Sequence, residues 1–406
     1  MKSANRFHPR FFATAVAAFI LAAATIASAQ FQVLHTFAAG RDGAYPNPSL
    51  AIDNAGNVYG TTQTFGPHGY GTVYELVSGS SGWTYKILYG FCAQPSCTDG
   101  AEPYFAGVVL DSAGNLYGTT QFGGAQGSLG TVFQLKRSGG VWAETVLHSF
   151  SGGNDGDSPI AGVILDKAGN VYGVTNSGLS FGHYGTVFQL TNSAGGWTET
   201  VLRDFTLNGH DGNYPGLGDG LWMRGGKLLG TTSLNGDLGQ GAIFQFTPTA
   251  SGGWIESVPY DSGHPFSIDK AGKIYGVSSS GSFGFGSVFE FVPTPSGWTT
   301  SPIYDFSGGT DGAGPFRVIS DGNGNLFGVT LGGGNPGCEN QLGCGTVFEL
   351  SQSSGQWTKI ILYNFQGGAD GGNPLGPLAI DRNGNLYGVT ETAGSKKVGV
   401  VFEIVR

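Results

Sequence analysis

The chain is poor in charge: 12% of its 406 residues are Asp, Glu, Lys or Arg, about half the share usual in a globular domain. Basic residues are the scarcer class, with 19 Lys and Arg against 28 Asp and Glu and a formal net charge of −9. Nucleic-acid binding needs a clustered basic footprint, and attraction to anionic lipid needs a polybasic segment. Neither is present. Long apolar runs are absent beyond the first 26 residues, so no further membrane span is expected. No 3.6-residue periodicity is visible after that point, which excludes a helical bundle. A nucleophile elbow, a metalloprotease helix motif and a phosphate-binding loop are missing as well. No cofactor and no metal are expected.

Glycine is abundant, at 74 residues, and aromatics make up 13%. That aromatic content argues against disorder. Together the two fit many short strands joined by tight turns.

The first residues form a class of their own. Lys2, Arg6 and Arg10 precede an Ala-rich apolar run from Phe11 to Ile26, and Ala27-Ser28-Ala29 ends in small residues before Gln30. This order predicts a secretory signal peptide over 1–29 and a single mature domain over 30–406, exported to the periplasm or the cell exterior. An uncleaved membrane anchor is the competing reading, against which the small-residue ending counts. Export favours disulfides for Cys92, Cys97, Cys338 and Cys344, which allow three pairings. The alternative use of these cysteines is a zinc site.

The mature chain repeats itself. A core G-[NK]-x-[YFL]-G recurs seven times, its second glycine at Gly60, Gly118, Gly173, Gly230, Gly276, Gly328 and Gly388. Each copy leads through a Gly-rich loop to a run such as VYEL, VFQL or VFEI. Six copies then reach a tryptophan (Trp83, Trp142, Trp197, Trp254, Trp298, Trp357) and a further run such as KILYGF or TVLHSF. Each unit reads as four strands, A ("VVLD"), B ("NLYGTT"), C ("GTVFQL") and D ("WAETVLHSF"). The A–B turn is D-x-x-G-[NK], where Asp bonds the turn backbone and Gly supplies the positive φ.

Four-stranded units of this length mark β-propeller blades. Seven separate domains of that size would be too small to bury a core. The last unit has A, B and C but no D, while "FQVLHTF" at Phe31–Phe37 matches strand D and precedes the first A. The expected fold is therefore all-β: a seven-bladed propeller of four-stranded antiparallel blades, closed by the N-terminal strand completing the last blade. Burial of Val33, Leu34 and Phe37 is expected to hold that closure. In such a ring the two cysteine pairs fall in loops of different blades, so local pairing, Cys92–Cys97 and Cys338–Cys344, is expected.

The "GNLYGTT…GTVFEL" unit, with its tryptophan and D-G-x-x-P, resembles the GloVer tandem repeat of exported bacterial proteins, often grouped as choice-of-anchor repeat proteins. The resemblance covers nearly the whole mature chain. It implies export and tandem repetition and supplies no catalytic residues.

Strand alternation puts A–B and C–D turns on one face and the longer, more variable B–C and D–A loops on the other. Binding usually sits on variable loops held by a rigid scaffold, so a site is expected on the B–C/D–A face near the central channel. D-G-x-x-P occurs six times, with Asp42, Asp99, Asp155, Asp211, Asp311 and Asp370. A single carboxylate per loop suits turn capping better than calcium, which wants six to eight oxygens. Glu75, Gln134 and Glu349 of strand C vary between charged and neutral forms, which suits hydrogen bonding rather than acid catalysis. His35 and His148 share a strand-D slot with Tyr and Arg and read as structural.

Departures from the repeat single out candidate ligand-binding residues. Four positions before the turn Asp, or before Met223 that replaces it in blade 4, stand Ser49, Gly107, Gly162, Asp219, Pro265, Arg317 and Pro377. Asp219 and Arg317 break the small-residue pattern. Trp222 is a further departure of blade 4. His183, His210 and His264 lie in loops of the same sector. The alternative reading is a degenerate fourth repeat whose charges face water. The expected function is a non-enzymatic, monomeric binding scaffold for a glycan or an envelope protein. Loop aromatics Phe65, Tyr70, Phe122, Phe181, Tyr184 and Phe283 are offered as contacts. The rival is an extracytoplasmic polysaccharide hydrolase or lyase acting at the channel mouth.

Overall fold

A computed structural model describes residues 29–177, 182–206, 210–216, 220–237, 239–260, 266–338, 342–394 and 396–406. The expected leader, residues 1–29, thus lies almost wholly outside the described residues. Seven antiparallel sheets make seven blades. Blade 2 shows the plan: A is Val109–Leu110, B is Leu116–Thr120, C is Thr131–Ser138 and D is Val141–Ser149. Blades 1 and 4 depart from it, each with two short A segments: Ala44–Pro46 and Ala51–Ile52 in blade 1, Asn213–Pro215 and Leu221–Arg224 in blade 4. No helix among the described residues is long and apolar enough to cross a membrane.

The seventh blade is completed by the N-terminal strand. Gln30–Thr36 pairs antiparallel with Val400–Val405, from Gln30 opposite Val405 to Thr36 opposite Val400. Leu34 and Phe37 are buried, as expected, but Val33 is exposed. A register shift between Val33 and His35 breaks the alternation. Phe31, packed against the core between blades 6 and 7, takes the burial expected of Val33. The same shift recurs in the other D strands, as between Val146 and His148. It lets a buried Leu and a neighbouring polar residue serve two different surfaces.

The seven core clusters correspond to the seven blade junctions. The junction of blades 7 and 1 unites Leu34 and Phe37 with Tyr387 and Val401 of blade 7 and Val58, Tyr74 and Leu76 of blade 1. The strand-D tryptophans reach across junctions. Trp83 of blade 1 meets Tyr387 of blade 7, and Trp254 of blade 4 meets Tyr172 of blade 3, ring centroids 6.1 and 6.0 Å apart.

The glycine that ends each repeat core is required by space. Gly118 lies opposite Phe133 of strand C, and a Cβ there would fall 2.7 Å from the Phe133 ring. Gly173, Gly276, Gly328 and Gly388 face Phe188, Phe289, Phe348 and Phe402 in the same way. Sequence and packing explain each other here: the strand-C aromatic fills the room left by the missing side chain.

The candidate binding face and central cavity

One backbone latch repeats around the B–C/D–A face. In each D-G-x-x-P loop the residue before proline has a left-handed φ: Tyr45, Glu102, Ser158, Tyr214, Gly314 and Asn373, at 53–64°. Its N–H donates to a B–C loop carbonyl of the preceding blade. The acceptors are Val398, Tyr70, Leu129, Tyr184, Phe285 and Cys344, at 2.8–3.0 Å. The proline then packs on the glycine that opens strand C of that blade. A Cβ on Gly71, for example, would lie 2.7 Å from Pro103. Five of the six latch residues carry the cost of a left-handed non-glycine backbone, so the geometry is dictated by the junction. The side chains on both partners vary while the backbone does not.

The loop aromatics stand on this face. Phe65, Tyr70, Phe122 and Phe283 are exposed, as are Tyr45 and Phe285. Tyr184 is half-buried and meets Tyr214 edge to face at 5.5 Å. Phe181 lies outside the described residues.

The loop carboxylates are capped by their own neighbourhood. The Asp99 carboxylate accepts from the N–H groups of Ala93 and Gln94 and from the Tyr89 hydroxyl at 2.7 Å. Asp370 accepts from Gln366 N–H and the Tyr363 hydroxyl. His35 and His148 bond Asp42 and Asp155 in the same slot. The A–B turns follow the expected chemistry. Asp111 Oδ1 accepts from the N–H groups of Ala113 and Asn115, and Oδ2 from the Asn115 amide and the Tyr117 hydroxyl. The strand-C Glu or Gln bonds the strand-B Tyr, as in Tyr59–Glu75 at 2.9 Å. Both disulfides are local, Cys92–Cys97 and Cys338–Cys344.

The A strands enclose a central cavity of about 470 Å³. Ser49, Gly107, Gly162, Arg317 and Pro377 all line it, so the position four before the turn Asp does face the axis. Trp222 lines it too, and the Arg317 guanidinium lies 5.6 Å from the Trp222 ring centroid. Burial lowers the Arg317 pKa to about 9. Among the described residues, the buried Trp222 indole nitrogen has no hydrogen-bond partner. Asp219 and His264 lie outside the described residues. His183 and His210 do not line the cavity. His183 Nδ1 bonds Asp204 at 2.7 Å, tying a B–C loop to the end of strand D, and His210 bonds Asp237 on the exposed loops. Of the six candidates, the described structure therefore joins Trp222 with Arg317. A larger concavity of about 650 Å³ lies on the opposite, A–B turn face, bordered by Lys270, Arg382 and the turns at Asp53, Asp321 and Asp381.

Departures from the repeat do not point to the residue two beyond the strand-D tryptophan. Glu144, Glu199 and Glu256 occupy it in blades 2, 3 and 4, each facing the loop Asp at the junction with the preceding blade. Burial raises their pKa values to about 8, 9 and 7, and the adjacent Asp99, Asp155 and Asp211 add to the effect. At the third of these junctions Arg203 Nε lies 2.6 Å from Asp211 and 3.4 Å from Glu256. At the second, His148 Nε2 lies 2.9 Å from Asp155 and 3.7 Å from Glu199. The W-x-E spacing was visible in the sequence, but nothing in it showed that the next carboxylate lay across a junction.

Two segments, residues 79–261 and 218–406, match the Gloeobacter/Verrucomicrobia repeat. No curated protein matches the chain in sequence. Among solved structures, puromycin hydrolase is similar over 90% of this chain and 52% of its own, with 12% identity and a TM-score of 0.56. The chain thus spans about half the length of that protein. The polysaccharide lyase Uly1 is similar over 89% of this chain and 90% of its own, with 9% identity and a TM-score of 0.53. Likeness at such identity shows a shared fold alone. The repeat matches span most of the sequence, and by them the chain belongs to the Gloeobacter/Verrucomicrobia repeat family.

Proposed function

We propose that the chain is an exported, non-enzymatic scaffold that binds a glycan or an envelope protein through its B–C/D–A face. The observation that carries this reading is the repeated latch. An invariant backbone geometry holds variable side chains around one rim, several of them exposed aromatics. Aromatic rings present large apolar area at low entropic cost and can stack on sugar rings or anchor a protein interface. Two local disulfides agree with an oxidising compartment, and the Lys2–Ala29 leader pattern supports export. The test is a glycan array together with capture from envelope extracts, using the purified chain. Retention on one of them, lost when Phe65 and Tyr70 are changed to Ser, is expected. Blank results on both would remove the support.

A polysaccharide hydrolase or lyase remains the second reading, favoured by the Arg317–Trp222 pair in the cavity. It requires product formation that disappears in Asp219→Ala or His264→Ala with melting unchanged. Activity surviving in both variants removes these residues from consideration.

A further inference from the structure

The blade junctions share one plan but balance charge differently. Between blades 3 and 4, where Asp211 and Glu256 meet, Arg203 brings a cation to both carboxyl groups. Between blades 5 and 6, Lys359 stands where those blades have Glu and pairs with Asp311. Between blades 2 and 3 the same positions hold Asp155, Glu199 and His148. The ligand-type atoms of these three lie within 4.8 Å of one another. Among the described residues, no Lys or Arg forms an ion pair with this trio.

We propose that His148, Asp155 and Glu199 bind one divalent transition-metal ion of the zinc class between blades 2 and 3. The ion occupies the role that the Arg203 guanidinium fills at the next junction. Zinc bonds of about 2.0–2.2 Å to nitrogen and oxygen in a tetrahedron separate the donors by about 3.3 Å. The His148–Asp155 and His148–Glu199 distances of 2.9 and 3.7 Å bracket that value. The supporting contacts are in place. Ser151 donates to Asp155 Oδ2 from both its N–H and its hydroxyl, which leaves Oδ1 turned to the imidazole. The His148 ring stands edge to face with Phe150 at 4.9 Å, which fixes its plane. The three side chains are 22%, 16% and 13% exposed, so a water can take the fourth position. One imidazole and two carboxyl groups suit zinc, cobalt or nickel rather than calcium, which needs six to eight oxygens. The ion would tie the last strand of blade 2 to the loop entering blade 3 and to the last strand of blade 3.

The full chain, treated with chelator, is titrated with Zn²⁺ by calorimetry and with Co²⁺ by visible absorption. One ion per chain is expected. His148→Tyr and Glu199→Lys use residues that the repeat itself places in these slots, as Tyr89 and Lys359 do, so both should fold. Each is expected to weaken Zn²⁺ binding by at least about tenfold, with Glu256→Gln at the neighbouring junction leaving it unchanged. Absence of zinc heat and of a cobalt spectrum in the native chain would overturn the assignment without recourse to any variant. Undiminished binding in both variants would do so too, by sending the ion elsewhere, for instance to His210.

Discussion

Phe31 lies flat on Tyr363, ring centroids 3.8 Å apart and planes 8° from parallel. Phe31 belongs to the strand that completes blade 7, and Tyr363 to the last strand of blade 6. The contact therefore helps seat the closing strand against its neighbour. Phe31 also meets Phe365 edge to face and Phe402 at 5.6 Å.

Removal of residues 30–37 takes away this stack together with buried Leu34 and Phe37, each worth about 1.5–3 kcal/mol when fully buried. It also bares the edge of Val400–Val405 to other chains. The expected outcome is a large fall in melting temperature with aggregation, read by calorimetry and light scattering. A deletion variant that stays monomeric with native melting would show that the strand does not hold the ring.

Gly118→Ala should be costly and Gly114→Ala mild. The first puts a Cβ 2.7 Å from the Phe133 ring, in a packed junction, where overpacking costs about 1–3 kcal/mol. The second meets nothing within 4 Å and carries only the strain of its φ of +82°, about 1–2 kcal/mol. Chemical denaturation of the two variants gives the comparison, and equal losses would argue against the packing account.

Glu144 predicts a pH dependence. Burial, with the Asp99 charge behind it, raises its pKa from 4.5 to about 8. Between these values the folded chain keeps a proton that the unfolded chain has released. Stability from this group therefore falls as pH rises from 4.5 to about 8, then levels. Glu144→Gln should melt like the native chain near pH 4.5 and above it at pH 8. A gap that is constant or widens toward acid would contradict the assignment.

Phe65→Ser and Tyr70→Ser act on exposed rings, so each should change stability by no more than about 0.5 kcal/mol. Under the proposed function they weaken ligand retention all the same. A combined loss of melting temperature and binding would mean that these side chains support the loop rather than meet a partner.

The repeat was legible because propeller blades are nearly identical in what they need. The Asp of six A–B turns, the strand-B glycine under the strand-C aromatic and the tryptophan of six D strands each answer a local demand, and each recurs at the same offset. Local pairing of the cysteines followed from the ring. The small residues four before the turn Asp marked the cavity wall, and Trp222 and Arg317 stood out against them. Burial in the closing strand was less legible. Alternation pointed to Val33, and the bulge moved that place to Phe31.

Relations across junctions could not be read from one copy of the repeat. The D-G-x-x-P loop looks like a turn, yet its residue before proline is held left-handed by a carbonyl of another blade. His148 and Glu199 look like variations within a strand, yet they meet at Asp155 because ring closure sets one blade's loop against the next blade's outer edge.

By itself the sequence determined the number of blades, their strands, their turns and the terminus that completes the ring, since these follow from local backbone chemistry repeated at a fixed interval. Only the tertiary structure decided which side chains share a charge, a cavity or a rim. Those relations depend on distances between blades, and such distances appear only when the ring is closed.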